Sequence, residues 1–160
     1  MKRGLFVGRF QPFHFGHLRD IKDALKEVDE LIICVGSSNE SGRENPFSVE
    51  ERVYMIDSVL QKDGIGRYIV FPIPDFHDDK KWVEYIESLV PKFDAVYTGN
   101  EWTEKCFKLK DYNIRKVKLL EGISSTIIRN RMANNKDWMS LVPKEVADFI
   151  FKIKGVERVK

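Results

Sequence analysis

Scarcity is the first information in this 160-residue chain: two cysteines, three histidines and a net charge of only +2. Cys34 and Cys106 are too few for a disulfide framework and have no metal-type spacing, so both read as free thiols of a reducing compartment. A near-neutral chain without an aromatic-interleaved basic stripe is no obvious binder of DNA or of a membrane surface. No apolar run is long enough to cross a membrane, and Met-Lys-Arg-Gly leads into a short apolar run with no signal-type stretch. A cytoplasmic protein is expected. Repeats, low-complexity tracts and linkers are missing too, which predicts a single domain over residues 1–160. With 42% hydrophobic and 32% charged residues, the chain has globular composition and a heavily charged surface.

Apolar runs alternate with stretches of helical periodicity. Leu5–Val7, Leu31–Val35, Tyr68–Ile73 and Phe93–Tyr97 read as strands, with a last one over 114–120. Helical spacing covers Phe15–Val28, Trp82–Val90, Ser124–Met132 and Pro143–Ile153. A further helix opens at Ser48, where Glu51 completes a capping box, with Val53, Ile56, Val59 and Leu60 as its inner face. This alternation predicts an α/β fold: one Rossmann-like, doubly wound parallel sheet with helices on both faces and a C-terminal helical segment. Ligands of such sheets sit beyond the carboxyl ends of the strands. The loops that start at Gly8, Gly36, Pro74 and Thr98 each follow an apolar run, so they are expected on that rim.

Two motifs carry the chemistry. Gly8-Arg9-Phe10-Gln11-Pro12-Phe13-His14-Phe15-Gly16-His17 places two of the three histidines at a helix start. Three-residue spacing puts both imidazoles on one face of the first turn, where free N–H groups and the positive end of the helix dipole suit a phosphate. Gly8 would let the strand turn into the loop, Gly16 would let a ligand approach the backbone, and Arg9 adds a planar donor fork. Two surface histidines and a zinc pair are the competing readings, although His77, Cys34 and Cys106 offer zinc no partner spacing. The second motif is Ile123-Ser124-Ser125-Thr126-Ile127-Ile128-Arg129. Ser124 reads as an N-cap, the hydroxyls of Ser125 and Thr126 as parts of an anion-binding turn, and Arg129 as one turn further on the same side. An ordinary capped helix with solvated arginines is the alternative.

Together the motifs resemble the nucleotidylyltransferase superfamily, through His-x-Gly-His after the first strand and Ile-Ser-Ser-Thr-x-x-Arg near the end. The chain is similar along nearly its whole length to the archaeal type of nicotinamide-nucleotide adenylyltransferase. Glu30-Leu31-Ile32-Ile33, Asn45-Pro46-Phe47-Ser48, Glu51-Arg52, Trp82-Val83, Ser88–Asp94 and Gly155-Val156-Glu157-Arg158 carry that narrower likeness. Ser125, where glycine is frequent, and Ile127, where an acidic residue is common, depart from it.

The resemblance implies that His14, His17 and Arg129 bind the phosphates of ATP, with Gly8, Arg9, Phe10, Gly16, Ser124, Ser125 and Thr126 in the same pocket. Arg43 is the candidate for a further active-site arginine, although Glu44 and Asn45 separate it from Pro46. Trp82 matches a tryptophan that packs on nicotinamide, and an indole face suits an electron-poor cationic ring; the alternative for Trp82 is a core residue. Asp75 and Asn100, in loops of the same rim, are the other candidates for the mononucleotide. The implied reaction is in-line attack of the acceptor phosphate on the α-phosphorus of ATP, giving NAD and pyrophosphate. Mg²⁺ would accompany ATP without a protein metal cage. A homo-oligomer is also implied. Phosphopantetheine or a flavin precursor as acceptor, or a non-catalytic nucleotide sensor of this fold, are the rival readings.

Overall fold

The computed structural model describes residues 1–118 and 120–160. Among these residues it is an α/β Rossmann-like fold with one five-stranded parallel sheet and six α-helices. The strands are β1 (Arg3–Gly8), β2 (Glu30–Val35), β3 (Tyr68–Pro72), β4 (Ala95–Thr98) and β5 (Ile114–Lys116), in the order β3-β2-β1-β4-β5. The helices are α1 (Phe15–Ala24), α2 (Val49–Lys62), α3 (Asp79–Leu89), α4 (Glu101–Lys108), α5 (Ser125–Ala133) and α6 (Lys144–Lys152), with 3-10 turns at Met139–Leu141 and Gly155–Val159. The order reverses at β1, the central strand. No helix among the described residues is long and apolar enough to cross a membrane.

The residues cluster into two compact units. The first comprises Met1–Gly8, Asp20–Asn39 and Arg67–Lys118, and holds the whole sheet. Strand side chains alternate between faces, and on one face Leu5, Ile32, Cys34 and Val96 meet Trp82, Val83 and Ile86 of α3 and Phe107 of α4. Each large apolar side chain buried there contributes about 1.5–3 kcal/mol. Gly4 is required on the other face, because a Cβ there would lie 2.7 Å from the Tyr97 ring.

The second unit comprises Arg9–Arg19, Glu40–Gly66 and Leu119–Lys160. Ser48 and Glu51 form the expected capping box, with Glu51 N–H on Ser48 Oγ (3.1 Å) and Ser48 N–H on Glu51 Oε1 (2.8 Å). The buried stripe of α2 is Arg52, Met55, Ile56, Val59 and Leu60, so Arg52 takes the phase expected for Val53, which is only half-buried. Helix α2 packs on α6.

Several bounds differ from expectation. Helix α1 stops at Ala24, although Leu25 and Val28 stay buried in the turns that follow. Helix α3 starts at Asp79 on an Asp78 cap, which places Trp82 a full turn inside it. Of the strand expected over 114–120, β5 takes Ile114–Lys116, and position 119 lies outside the described residues. Helix α4 was not expected at all. Half of its residues are charged, and what starts it is the Asn100 cap on Thr103 N–H (3.0 Å).

Candidate anion-binding site

The motif that follows β1 turns sharply. Gly8 stays extended as the last residue of the strand, and Phe10 is the left-handed residue, at φ 56°. Non-glycine residues adopt that region at a cost. The Gln11–Pro12 peptide is cis.

His14 then occupies the N-cap position of α1, since Leu18 N–H bonds its carbonyl at 3.2 Å. Its Nδ1 accepts from the amides of Gly16 (3.0 Å) and His17 (3.3 Å), while His14 N–H donates to Nδ1 of His17 (3.1 Å). This is a capping box written in imidazoles, with the same reciprocal pattern that Ser and Glu supply on α2. The rings stack with centroids 3.6 Å apart, and Phe10 and Phe13 flank His17 at 4.6 and 5.5 Å. Gly16 has no side chain because a Cβ would sit 2.8 Å from Cε1 of His14. The first turn of α1 is thus corrected in one respect: two of the amides expected to be free are already occupied by His14.

The consequence is a fixed tautomer. An Nδ1 that accepts from an amide carries no proton, so each neutral ring carries its proton on Nε2 as a donor. Burial lowers the His14 pKa to about 4, and burial together with His14 holds His17 well below its ordinary value. Near neutral pH the pair is two oriented N–H donors rather than two cations.

The second motif meets the first. Ser124 caps α5 through Ile127 N–H (3.1 Å). Ser125 Oγ donates to the Pro12 carbonyl (2.9 Å), so its hydroxyl is committed, while the backbone N–H groups of Ser125 and Thr126 are the open donors of this helix start. Arg129, nearly buried, donates from Nη1 to the Gln11 carbonyl (2.8 Å) and from Nη2 to Thr126 Oγ1 (3.4 Å). Burial and then the like charge of Arg9 lower its pKa, with Glu44 opposing them. Two guanidinium groups that repel each other in a partly buried place are a site that an anion relieves.

Two residues of this corner were not singled out from the sequence. Gln11 pairs its side-chain amide with both backbone groups of Phe47, at 3.0 Å each way. Arg52, wholly buried, donates to the Arg9 carbonyl (2.9 Å) and to Ser48 O (3.3 Å). The signal for Arg52 was an arginine in phase with an apolar stripe. For Gln11 it was an amide inside an aromatic-rich turn.

None of the other expected residues bonds to the histidines or to Arg129. Arg43 is exposed and donates to Lys160 O (2.8 Å), with no bond to the histidines or to Arg129. In the first unit, Asp75 accepts from Ser37 Oγ (3.0 Å) and takes the Asn39 side chain on its N–H (2.9 Å), while Asn100 caps α4. Trp82 is a member of the sheet core at 2% exposure, with the Trp102 ring 4.8 Å away and Nε1 without a partner. Among the described residues no group of three or more His, Cys, Asp or Glu side chains could hold a metal ion. The donors of the corner are N–H groups, which fit an anion that brings its own cation.

Two capped helix starts, oriented imidazole donors and a buried arginine form a candidate anion-binding corner of an α/β fold. The chain belongs to the Cytidylyltransferase-like family, whose model matches residues 5–131. It is similar to the nicotinamide-nucleotide adenylyltransferase of Pyrococcus furiosus, 42% identical over 166 residues that cover 100% of this chain and 88% of the relative. The enzyme of the same name from Methanococcus aeolicus is 44% identical over 161 residues, with 99% and 93% covered. Among solved structures, a bifunctional NMN adenylyltransferase/ADP ribose pyrophosphatase from Francisella tularensis, complexed with AMP and a manganese ion, matches with a TM-score of 0.80 at 24% identity. That match covers 99% of this chain and 52% of the bifunctional one, about half its length, and is a likeness of fold.

Proposed function

We propose that this protein transfers the AMP part of ATP to nicotinamide mononucleotide, giving NAD and pyrophosphate. The observation that carries the reading is the reciprocal histidine cap beside Arg129. It presents Nε2–H donors at the start of α1 that the fold does not use, and at the start of α5 a nearly buried guanidinium that its bonds to Gln11 O and Thr126 Oγ1 hold in place. The names of the full-length relatives support the acceptor.

The acceptor phosphate, largely dianionic at neutral pH with a second pKa of about 6, is itself the nucleophile and needs no general base. One of its oxygens bonds to the α-phosphorus, and the bond from that phosphorus to the bridging oxygen breaks. Pyrophosphate leaves with the electron pair. His14 and His17, as neutral N–H donors, and Arg129 and Arg9, as cations, hold the phosphates and offset the charge that gathers on the leaving group. Arg43 would add a further cation from its loop on leaving the Lys160 carbonyl. Mg²⁺ arrives with ATP as part of the substrate and supplies the remaining positive charge. Trp82, Asp75 and Asn100 are the residues assigned to the mononucleotide.

The test is pyrophosphate release from MgATP with nicotinamide mononucleotide, nicotinic acid mononucleotide, phosphopantetheine and flavin mononucleotide as acceptors. Release with nicotinamide mononucleotide, matched by NAD formed, is the expected result. Release confined to another acceptor moves the chain to a different transferase, and no release with any acceptor makes it a nucleotide sensor.

A further inference from the structure

We infer that Arg158, in the 3-10 turn Gly155–Val159, is a positioning residue for the ATP half of the reaction. It acts on Arg129 through Pro46–Phe47 and Gln11. The inference rests on reading the corner of His14, His17 and Arg129 as the phosphate site.

The links are directional and consecutive. Arg158 Nη1 donates to the Pro46 carbonyl (3.0 Å) and to Glu51 Oε1 (2.6 Å), and Nη2 donates to Glu51 Oε2 (3.0 Å). The fork therefore grips a carboxylate with both arms and a backbone carbonyl with one. Glu51 Oε1 also accepts Ser48 N–H, so a single carboxylate ties Arg158 to the start of α2. Burial pushes Glu51 up, but the bonds from Arg158 and Ser48 outweigh it and hold the carboxyl below its ordinary range. The residue after Pro46 is Phe47, whose N–H and carbonyl are both taken by the Gln11 amide. The Gln11 carbonyl in turn receives Arg129 Nη1. Gly155 braces the same place, because a Cβ on it would lie 2.8 Å from the Phe47 ring.

This arrangement exceeds what stability asks of it. The Arg158 side chain is 37% exposed, and exposed ion pairs contribute little to folding. One of the three bonds holds the Pro46 carbonyl and two hold the Glu51 carboxylate that takes Ser48 N–H, so together they fix the backbone on both sides of Phe47. Gln11 reads that position with two hydrogen bonds, and Arg129 reads Gln11 with one. Without the fork, the Pro46 carbonyl and the Glu51 carboxylate turn to water, the Phe47 backbone gains freedom, and the Arg129 guanidinium loses its reference point. Displacement of a phosphate donor weakens substrate placement even where every donor is still present.

The experiment measures Michaelis constants for MgATP and nicotinamide mononucleotide, turnover and melting temperature in Arg158→Ala, Arg158→Lys, Gln11→Ala and the double variant Arg158→Ala/Gln11→Ala. His17→Ala is run beside them. Arg158→Ala is expected to raise the ATP constant roughly tenfold, leave the mononucleotide constant within about twofold and move the melting temperature little. Arg158→Lys should fall between, since one ammonium cannot serve Glu51 and Pro46 together. The double variant should be no worse than Gln11→Ala, because the two act in one chain. Equal loss for both substrates, or additive losses in the double variant, overturns the inference. If Arg158→Ala does not fold, Arg158→Lys decides by the same split. A normal ATP constant in a folded Arg158 variant, beside an inactive His17→Ala, removes this inference alone. Full turnover in His17→Ala removes the reading of the corner on which it stands.

Discussion

The corner built by residues 9–17 and 124–129 and the loops around Trp82 are made of opposite materials. In the first, the buried side chains are polar: Gln11, His14 and Arg129 are almost wholly enclosed, and backbone groups fix their orientation. In the second, the enclosed side chain is an indole in the sheet core, and the polar residues Asp75 and Asn100 are exposed and tied to local turns and a cap. Burying polar groups costs free energy unless they are bonded, and fixing their orientation in advance is what stabilises developing charge. The first corner is therefore expected to separate chemistry from stability on substitution. The second is expected to mix them.

The largest effect should come from the imidazoles. His17→Ala is expected to cut turnover by roughly 100-fold, the loss typical of one preorganised donor, at a stability cost of about 1 kcal/mol for the lost acceptor. His14 allows a cleaner division. His14→Asn keeps a side-chain oxygen to cap α1 but has no Nε2–H, so turnover should fall tens of fold, by analogy with a lost donor, while the melting temperature holds. His14→Ala should lose both. Steady-state turnover and thermal melts on the three variants check this. Turnover restored by asparagine would reduce the ring to a cap and erase the contrast between the corners.

Arg129→Lys should come next, at about tenfold in kcat/KM, because lysine keeps the charge but cannot bond Gln11 O and Thr126 together. Full activity with lysine would mean that charge alone matters there and fork geometry does not.

How much of this was legible in the sequence follows from the range of each interaction. The strands and the Ser48 and Ser124 caps are set by residues within a few positions of one another, and all were readable. Helix α4 hid because its apolar residues are few, and its start depends on one asparagine. The tautomers of His14 and His17 were unreadable, since spacing places two rings on one face but does not say which nitrogen meets which amide. Gln11 to Phe47 spans 36 residues and Arg158 to Glu51 spans 107, so no local pattern announces either. Ser125, a departure from the family pattern, gained its explanation only from the Pro12 carbonyl that its hydroxyl bonds.

The imidazoles also tie stability to pH. Folded His14 has a pKa of about 4 against 6.5 for a free side chain, and His17 is shifted in the same direction. Between those values the unfolded chain binds protons that the folded one refuses. Their contribution to stability is therefore complete above pH 6.5 and declines as pH falls toward about 4, by on the order of 3 kcal/mol for His14 alone. Urea midpoints at pH 7 and pH 5 should show the decline, and His14→Asn should flatten part of it. A slope unchanged by that substitution would assign the loss to carboxylates and leave the first corner without its buried neutral pair.

The smallest effect concerns Trp82, where the two corners differ most. Its ring is covered by Trp102, which is itself 42% exposed and held by a bond from Nε1 to Asp79 (3.1 Å). A cationic ring can reach the Trp82 face only if Trp102 shifts. Trp82→Ala cannot test this cleanly, because emptying a core site of that size costs about 3–5 kcal/mol and harms everything. Trp82→Phe is gentler: it keeps an aromatic face, and it removes the buried N–H that has no partner, which offsets part of the lost packing. If the face meets nicotinamide, the weaker π-system should cost about 0.5–1 kcal/mol, a two- to fivefold rise in the Michaelis constant for the mononucleotide, with that for ATP unchanged. If Trp82 is packing alone, both constants stay put and only the melt moves. The exposed Trp102 ring would then be the next candidate aromatic surface for the acceptor, and a selective loss in Trp102→Ala the result that assigns it.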